Sequence, residues 1–180
     1  MILHRDVGFR PVEERDIEAI RRLRNDETTW MYLTDPSQIT AAQQGEWFRS
    51  ISLAKDRRYY TAFIVKREFP IISEEDFLGI VRCDQIDPLN RSIRVGCDII
   101  PEHRRKGYGT QVYGGILKYF FDALGMNRIW LCVLDINPGA RDLYKKIGFK
   151  AEGRMRQAIW RNGEWHDYIV MSILGEEYRR

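Results

Sequence analysis

The stretch that most constrains the fold is Ile129–Leu134, a nearly continuous apolar run set between two helical patterns. A strand that is apolar on both faces has to lie inside a sheet covered on both sides. Upstream, Thr110–Leu124 carries Val112, Tyr113, Ile116, Leu117, Phe120, Phe121 and Leu124 on one amphipathic stripe, and Gly125 ends it. Downstream, Asn137–Ile147 reads as a helix with Pro138 in its first turn and Gly148 as its C-cap.

The rest of the chain alternates in the same way. Val7–Pro11 is a short strand, and Glu13–Asn25 has the helical period of Ile17, Ile20 and Leu23. Thr40 suits the N-cap of a second helix through Ala54. Tyr59–Lys66, Phe77–Asp84 and Ile93–Ile100 have strand composition. Arg67–Asp76, with Pro70 and the acids Glu74, Glu75 and Asp76, reads as an exposed loop, and Asp87–Asn90 as a turn. Phe149–Trp160 and Trp165–Ile173 flank Arg161–Glu164, whose Asn-Gly pair signals a hairpin. The pattern predicts one α/β (α+β) domain over residues 1–180, a mixed sheet with helices on its faces.

Charge narrows the function. Lys and Arg number 29 against 26 Asp and Glu, a net charge of +3, too small an excess for a nucleic-acid footprint. No run approaches the roughly 18 apolar residues that span a bilayer, and the N-terminus has no apolar core of signal-peptide length. A cytoplasmic protein without membrane or nucleic-acid partners is expected. Cys83, Cys97 and Cys132 have no CxxC spacing, and His4, His103 and His166 are scattered, so no disulfide framework and no metal site are expected.

Positive charge does collect at one place. In Ile99–Thr110, IIPEHRRKGYGT, a strand ends at Pro101 and a basic, glycine-containing loop leads into the clearest helix. The helix start offers unpaired N–H groups and a partial positive charge. Gly107 and Gly109 permit close approach, and Arg104, Arg105 and Lys106 add charge, which together suit a diphosphate. The segment lacks the GK[ST] ending of a nucleotide P-loop and the third glycine of a dinucleotide fingerprint. In the later helix, Asn137 either caps the N-terminus or bonds a ligand. Tyr144, about two turns on, either packs or aims its hydroxyl at the same ligand.

These two segments together resemble the GNAT superfamily of acyl-CoA-dependent N-acetyltransferases. Arg104, Gly107 and Gly109 meet the family's Q/R-x-x-G-x-G/A, and Asn137, Ala140, Tyr144, Lys146, Gly148 and Phe149 meet NxxAxxxYxKxGF. The ending EGRMRQAIWRNGEWHDYIVMSIL is similar to the branch with ribosomal-protein-alanine, spermidine and nucleotide-amino-sugar acetyltransferases. The resemblance implies a mostly antiparallel sheet whose parallel strands Ile93–Ile100 and Ile129–Leu134 splay apart. It implies acetyl-CoA as co-substrate, with the pyrophosphate on Arg104, Arg105, Lys106, Gly107, Tyr108, Gly109 and Thr110. Ile99 and Ile100 would pair with the pantetheine, Asn137 would bond its arm, and Lys146 belongs to the same cofactor-binding set. A homodimer, with the C-terminal hairpin as interface, is an assembly found in such families.

The chemistry implied is direct attack of a primary amine on the thioester. An alkyl amine has a pKa of about 10.4 and must first lose a proton. By the resemblance Tyr144 is the general acid for the departing thiolate. An oxyanion donor is expected from a backbone N–H near Ile100. Arg94, Gly96 and Asp98 alternate on one strand face, with Asp98 the first choice of base, ahead of Glu102, Asp84 and Asp87. Relatives carry a Glu where this chain has Arg94, which suggests an anionic acceptor instead. His166 is placed on the acceptor side. Three functions stay open at this point: acetylation of a small-molecule amine such as a nucleotide amino sugar or polyamine, acetylation of a protein N-terminus, and non-catalytic acyl-CoA binding.

Overall fold

The computed structural model describes residues 1–68 and 71–179. In chain order the elements are β1 (Ile2–His4), β2 (Val7–Pro11), a tight turn of helix at Glu14–Asp16 continuing as α1 (Ile17–Asn25), α2 (Glu27–Trp30) and α3 (Ala41–Leu53). There follow β3 (Arg58–Glu68), β4 (Ile71–Asp87), β5 (Ser92–Ile99) and a short turn, Pro101–His103. Next come α4 (Tyr108–Leu117), which widens into a π turn over Lys118–Ala123, and β6 (Arg128–Leu134). The chain ends with α5 (Pro138–Ile147), β7 (Lys150–Arg161), β8 (Glu164–Leu174) and α6 (Gly175–Tyr178).

The strands form one eight-stranded sheet in the order β1-β2-β3-β4-β5-β6-β8-β7. Every neighbouring pair is antiparallel except β5 and β6. The expected mixed, mostly antiparallel α/β architecture is what the chain adopts. On one face Val81, Cys83, Ile93 and Val95 pack against Val112, Tyr113 and Ile116 of α4. On the other, Ile80 packs with Ile20 and Leu23 of α1, flanked by Trp47 and Tyr59. Thr40 caps α3 as expected, in a reciprocal box with Gln43.

Two expectations change. Arg67–Asp76 is not a loop: Lys66, Arg67 and Glu68 pair with Ser73, Ile72 and Ile71, so β3 and β4 form a long hairpin, with residues 69 and 70 outside the described residues. The β-branched Ile71 and Ile72 extend the ladder, and charge does not stop a strand that remains paired. Ile129–Leu134 is a central strand but is not closed on both faces. Ile129, Leu131 and Val133 are buried, whereas Trp130 and Cys132 line a cavity.

The helical layer on the second face is tied down by a buried ion pair. Asp16, at the start of α1, accepts from Arg10 of β2 at 2.6 and 2.8 Å, from the Thr61 hydroxyl of β3 at 2.8 Å and from the Glu13 N–H at 2.8 Å. Burial opposes the charged form of Asp16, but the Arg10, Glu13 and Thr61 hydrogen bonds outweigh it and hold the carboxyl below its ordinary range. A depressed folded-state pKa stabilises the fold above the unfolded value of about 3.9 and loses that contribution as pH falls through the folded value. Asp16→Ala should cost about 3 kcal/mol at neutral pH, because it strands a buried guanidinium. Denaturant titrations between pH 7 and 3 should show the parent losing part of its advantage below pH 4, and an undiminished gap at pH 3 would contradict this.

Candidate active site

The site begins where two strands part. β5 and β6 pair only at Ser92–Arg128, Ile93–Ile129 and Arg94–Trp130. Beyond Arg94, β5 stays with β4 as far as Ile99, and β6 stays with β8 as far as Leu134. The Ile100 N–H donates to the Leu78 carbonyl at 3.0 Å. Hydrogen-bonding direction alternates along an antiparallel strand, so Asp98 and Gly96 also face β4, while Val95, Cys97 and Ile99 turn their main-chain groups toward the gap. This corrects the expectation for Ile100: its N–H is spent on Leu78, and the Ile99 N–H is the one aimed into the gap. The Ile99 carbonyl accepts from Arg104 Nε at 2.8 Å.

The phosphate-type loop follows directly. Arg105 and Gly107 have φ of 59° and 84°, which turns successive N–H groups inward as in an anion nest. A side chain other than glycine's would be strained at Gly107. The helix starts at Tyr108, so the N–H groups of Tyr108, Gly109 and Thr110 lack intrahelical acceptors. Arg105 and Lys106 are exposed beside them. Arg104 departs from expectation. Its guanidinium bonds the Thr28 hydroxyl at 2.6 Å, the Thr28 carbonyl at 3.1 Å and the Thr29 hydroxyl at 2.5 Å, bracing α2 against the end of β5. Its charge is directed away from the loop.

On the face of β4 and β5 under α1 and α3, charges alternate in pairs. Arg82 contacts Asp98 at 3.2 and 3.3 Å, leaning across Gly96, where a Cβ would lie 3.0 Å from Arg82 Nη2. Arg94 binds Asp84 through two hydrogen bonds, 2.5 and 2.9 Å, and lies over the Trp130 ring at 5.8 Å. Asp84 holds Arg94 bidentately, so Arg94 is not the unpaired anion receptor the sequence suggested. Two cavities adjoin on Arg82 and Leu33. The smaller, about 210 Å³, is bounded by α1, α3, Tyr59, Ile80 and Asp98. The larger, about 500 Å³, is bounded by Arg94, Gly96, Trp130, Cys132 and Tyr168. Thr34, on the strand of chain that separates them from solvent, bonds the Tyr168 hydroxyl at 2.9 Å, and Arg161 Nη2 donates to the Thr34 carbonyl at 3.3 Å.

Tyr144 stands on the opposite side of the gap. Tyr113 donates its hydroxyl to that of Tyr144 at 3.2 Å, and their rings meet edge to face at 5.2 Å. Tyr144 thus accepts one hydrogen bond and keeps its own proton to give. Burial pushes its phenol up to about 12; the Tyr113 hydrogen bond and Arg82 pull it down, while Cys97 and Asp98 push it up. The phenol is therefore protonated at neutral pH and in the field of the Arg82–Asp98 pair. Burial also raises the Cys97 thiol, which removes it as a nucleophile.

Asn137 accepts from the Ala140 N–H at 3.1 Å and so caps α5. Lys146 is exposed on α5. His166 has Nδ1 at 3.5 Å from Asp135 and is not among the residues lining either cavity, so it does not reach the acceptor side as expected. Sequence reasoning passed over Arg82, Tyr113 and Gln44.

The unpaired edge of β5, the nest and the buried phenol define a site for acyl transfer from a thioester carried on a diphosphate-bearing arm. The acetyltransferase (GNAT) domain family matches residues 6–150, and the chain belongs to that family. It is an N-acetyltransferase with acetyl-CoA as co-substrate. Among relatives, the N-acetyltransferase YoaA of Bacillus subtilis is 29% identical over 167 residues, 92% of each chain. Spermidine N(1)-acetyltransferase of Vibrio cholerae is 27% identical over 98% of this chain and 97% of its own. The ribosomal N-acetyltransferase YdaF of B. subtilis, so named provisionally, is 26% identical over 96% and 93%. The crystal structure of the V. cholerae spermidine enzyme with CoA and spermine superposes with a TM-score of 0.88 at 25% identity, covering 98% of this chain and 99% of that one. Among the described residues no helix is long and apolar enough to cross a membrane.

The two roles of the basic loop separate by mutation. Arg104→Ala should cost about 2 kcal/mol of stability, since it removes several charge-assisted hydrogen bonds, and should leave the salt dependence of CoA binding unchanged. Arg105→Ala with Lys106→Ala should do the reverse, weakening CoA binding and flattening its salt dependence. Calorimetric titration at two salt concentrations, with thermal melts, checks both. Equal effects from both variants would show that Arg104 faces the phosphates.

Proposed function

We propose that the chain, as a single acetyltransferase domain over residues 1–180, moves the acetyl group of acetyl-CoA to a primary amine on a small molecule in the cytoplasm. The observation that carries this is the Tyr113-to-Tyr144 hydrogen bond at the mouth of the split between β5 and β6. The thioester lies along β5, its carbonyl oxygen toward the Ile99 N–H. The pyrophosphate rests on Arg105 to Thr110, with Asn137 and Lys146 along the arm. Asp98, which borders both the smaller cavity and the surroundings of Tyr144, receives the amine and takes its proton directly or through water. The amine nitrogen bonds to the acetyl carbon as the carbon–sulfur bond breaks, and Tyr144 protonates the departing sulfur. Tyr113 then stabilises the phenolate by its donated hydrogen bond until a proton returns.

Two of the relatives make polyamines and ribosomal proteins natural members of an acceptor panel, alongside nucleotide amino sugars. Assembly as a homo-oligomer belongs to the same reading. Trp160 and Trp165, both more than half exposed on the terminal hairpin, offer it a surface, and the V. cholerae spermidine enzyme has a dodecameric structure.

Tyr144→Phe should lower kcat about 100-fold, in the range for a general acid, with the KM for acetyl-CoA little changed. Tyr113→Phe should lower kcat about 10-fold in the parent and not at all in the Tyr144→Phe background, because it acts only through Tyr144. Steady-state kinetics on the four proteins checks this. An equal loss in both backgrounds would reduce Tyr113 to a packing residue, and full turnover by Tyr144→Phe would remove the acid.

A further inference from the structure

The smaller cavity has a polar group with nothing to bond. Gln44, in the first turns of α3, is 2% exposed, and no hydrogen bond to its side-chain amide occurs among the described residues. Among the described residues the fully buried polar side-chain atoms without a partner are His103 Nδ1, Asp135 Oδ1 and Arg161 Nε, so the Gln44 amide is open to the cavity, where a ligand can reach it. Neighbouring Gln43 spends its amide on capping Thr40, so the vacancy belongs to Gln44 alone of the two. The walls facing it are apolar: Ile20, Leu23, Ile39, Trp47 and Ile80. At the end toward Tyr144 lies the Arg82–Asp98 pair. The other cation of the cavity, Arg24, meets Asp35 at 3.4 Å. No carboxylate lining this cavity is without a guanidinium partner.

We propose that this cavity selects the acceptor. It takes a primary amine carried on a compact apolar body, of isobutyl to phenyl size, that also bears one uncharged hydrogen-bonding group, an amide, carbonyl or hydroxyl, to pair with Gln44. The amine then lies at Asp98 and the apolar body between α1, α3 and β4. A polycation finds no uncompensated negative charge here. A long acyl chain would fill the apolar volume but leave the Gln44 amide unbonded. This inference rests on the reading of this face as the acceptor side.

The test uses leucinamide, phenylalaninamide, spermidine and glucosamine as acceptors, and acetyl-CoA and hexanoyl-CoA as donors. The amino-acid amides carry the amine, the apolar body and the amide together, and they should be acetylated with a lower KM than spermidine or glucosamine. Gln44→Leu should raise the KM for the amides about 10-fold, the scale of one lost contact in a pocket, and leave the KM for acetyl-CoA unchanged. It should leave the melting temperature little changed, since the amide bonds nothing in the fold; Gln44→Met is the second variant. A structural role for Gln44 would lower the melting temperature instead. Spermidine preferred over both amides, or Gln44 variants that alter no acceptor KM, would overturn the inference. So would a Gln44 effect confined to hexanoyl-CoA, which would assign the cavity to the acyl chain. Loss of the Tyr144→Phe effect with the Gln44 effect intact would remove the acid and leave the slot, so the two readings fail separately.

Discussion

Everything at this site depends on β5 and β6 ceasing to pair after Arg94 and Trp130. Each strand has a partner on its other side that holds it: β4 runs with β5 to Ile99, and β8 runs with β6 to Leu134. The gap therefore opens without either strand fraying. Tyr113, Tyr144 and Phe149 form an aromatic cluster with ring centroids 5.2 to 6.0 Å apart. On the gap side the main-chain groups of Cys97 and the Ile99 N–H have no strand to pair with, the Ile99 carbonyl being taken by Arg104 Nε, and unpaired backbone groups are costly. A ligand with an amide-bearing arm that lies down as an extra strand satisfies them. In the proposed binding mode the cofactor's orientation follows from the register of the sheet, and the helix start at Tyr108 puts the proposed anion site at the end of that added strand.

Charge on the acceptor face is organised by the same register. Asp84 stands directly across from Arg94, and Arg82 stands across from Gly96, whose missing side chain lets the guanidinium reach Asp98. The two ion pairs, Arg82 with Asp98 and Arg94 with Asp84, cancel in charge. Arg105 and Lys106 are exposed next to the nest. Arg104, the residue that carries the family motif, stabilises the loop from behind instead.

Much of this was legible in sequence because it is local. The Thr40 cap, the Gly148 end of α5 and the position of Tyr144 two turns after Asn137 are all fixed by spacings of a few residues, whereas the helix expected from Thr110 begins two residues earlier, at Tyr108. What escaped depends on contacts across strands. Arg82 and Asp98 are sixteen residues apart and Arg94 and Asp84 ten, and only the register brings each pair together. Tyr113 fell on the apolar stripe of its helix and read as core, which it is, but its hydroxyl is at the one edge of the core that meets Tyr144. Gln44 drew no reading of its own, because nothing in the local pattern sets it apart from the other polar residues of its helix. The stretch Arg67–Asp76 read as a loop because its acids were weighed above the β-branched Ile71 and Ile72. Arg104 read as a phosphate ligand because α2, whose Thr28 and Thr29 capture it, is a four-residue helix with no periodic signal.

The pairing of two phenols resolves a conflict in the site. The departing sulfur needs a proton near neutral pH, and burial alone drives a tyrosine away from giving one. Asp98 and Cys97 push in the same unfavourable direction. Two neighbours oppose them: Arg82 by its charge and Tyr113 by its hydrogen bond. Arg82 also holds Asp98, so in the proposed mechanism one guanidinium serves the amine side and the sulfur side of the reaction. Burial raises the Tyr113 phenol well above its ordinary value as well, so in the proposed mechanism Tyr113 keeps its proton and donates to Tyr144 while Tyr144 gives one up.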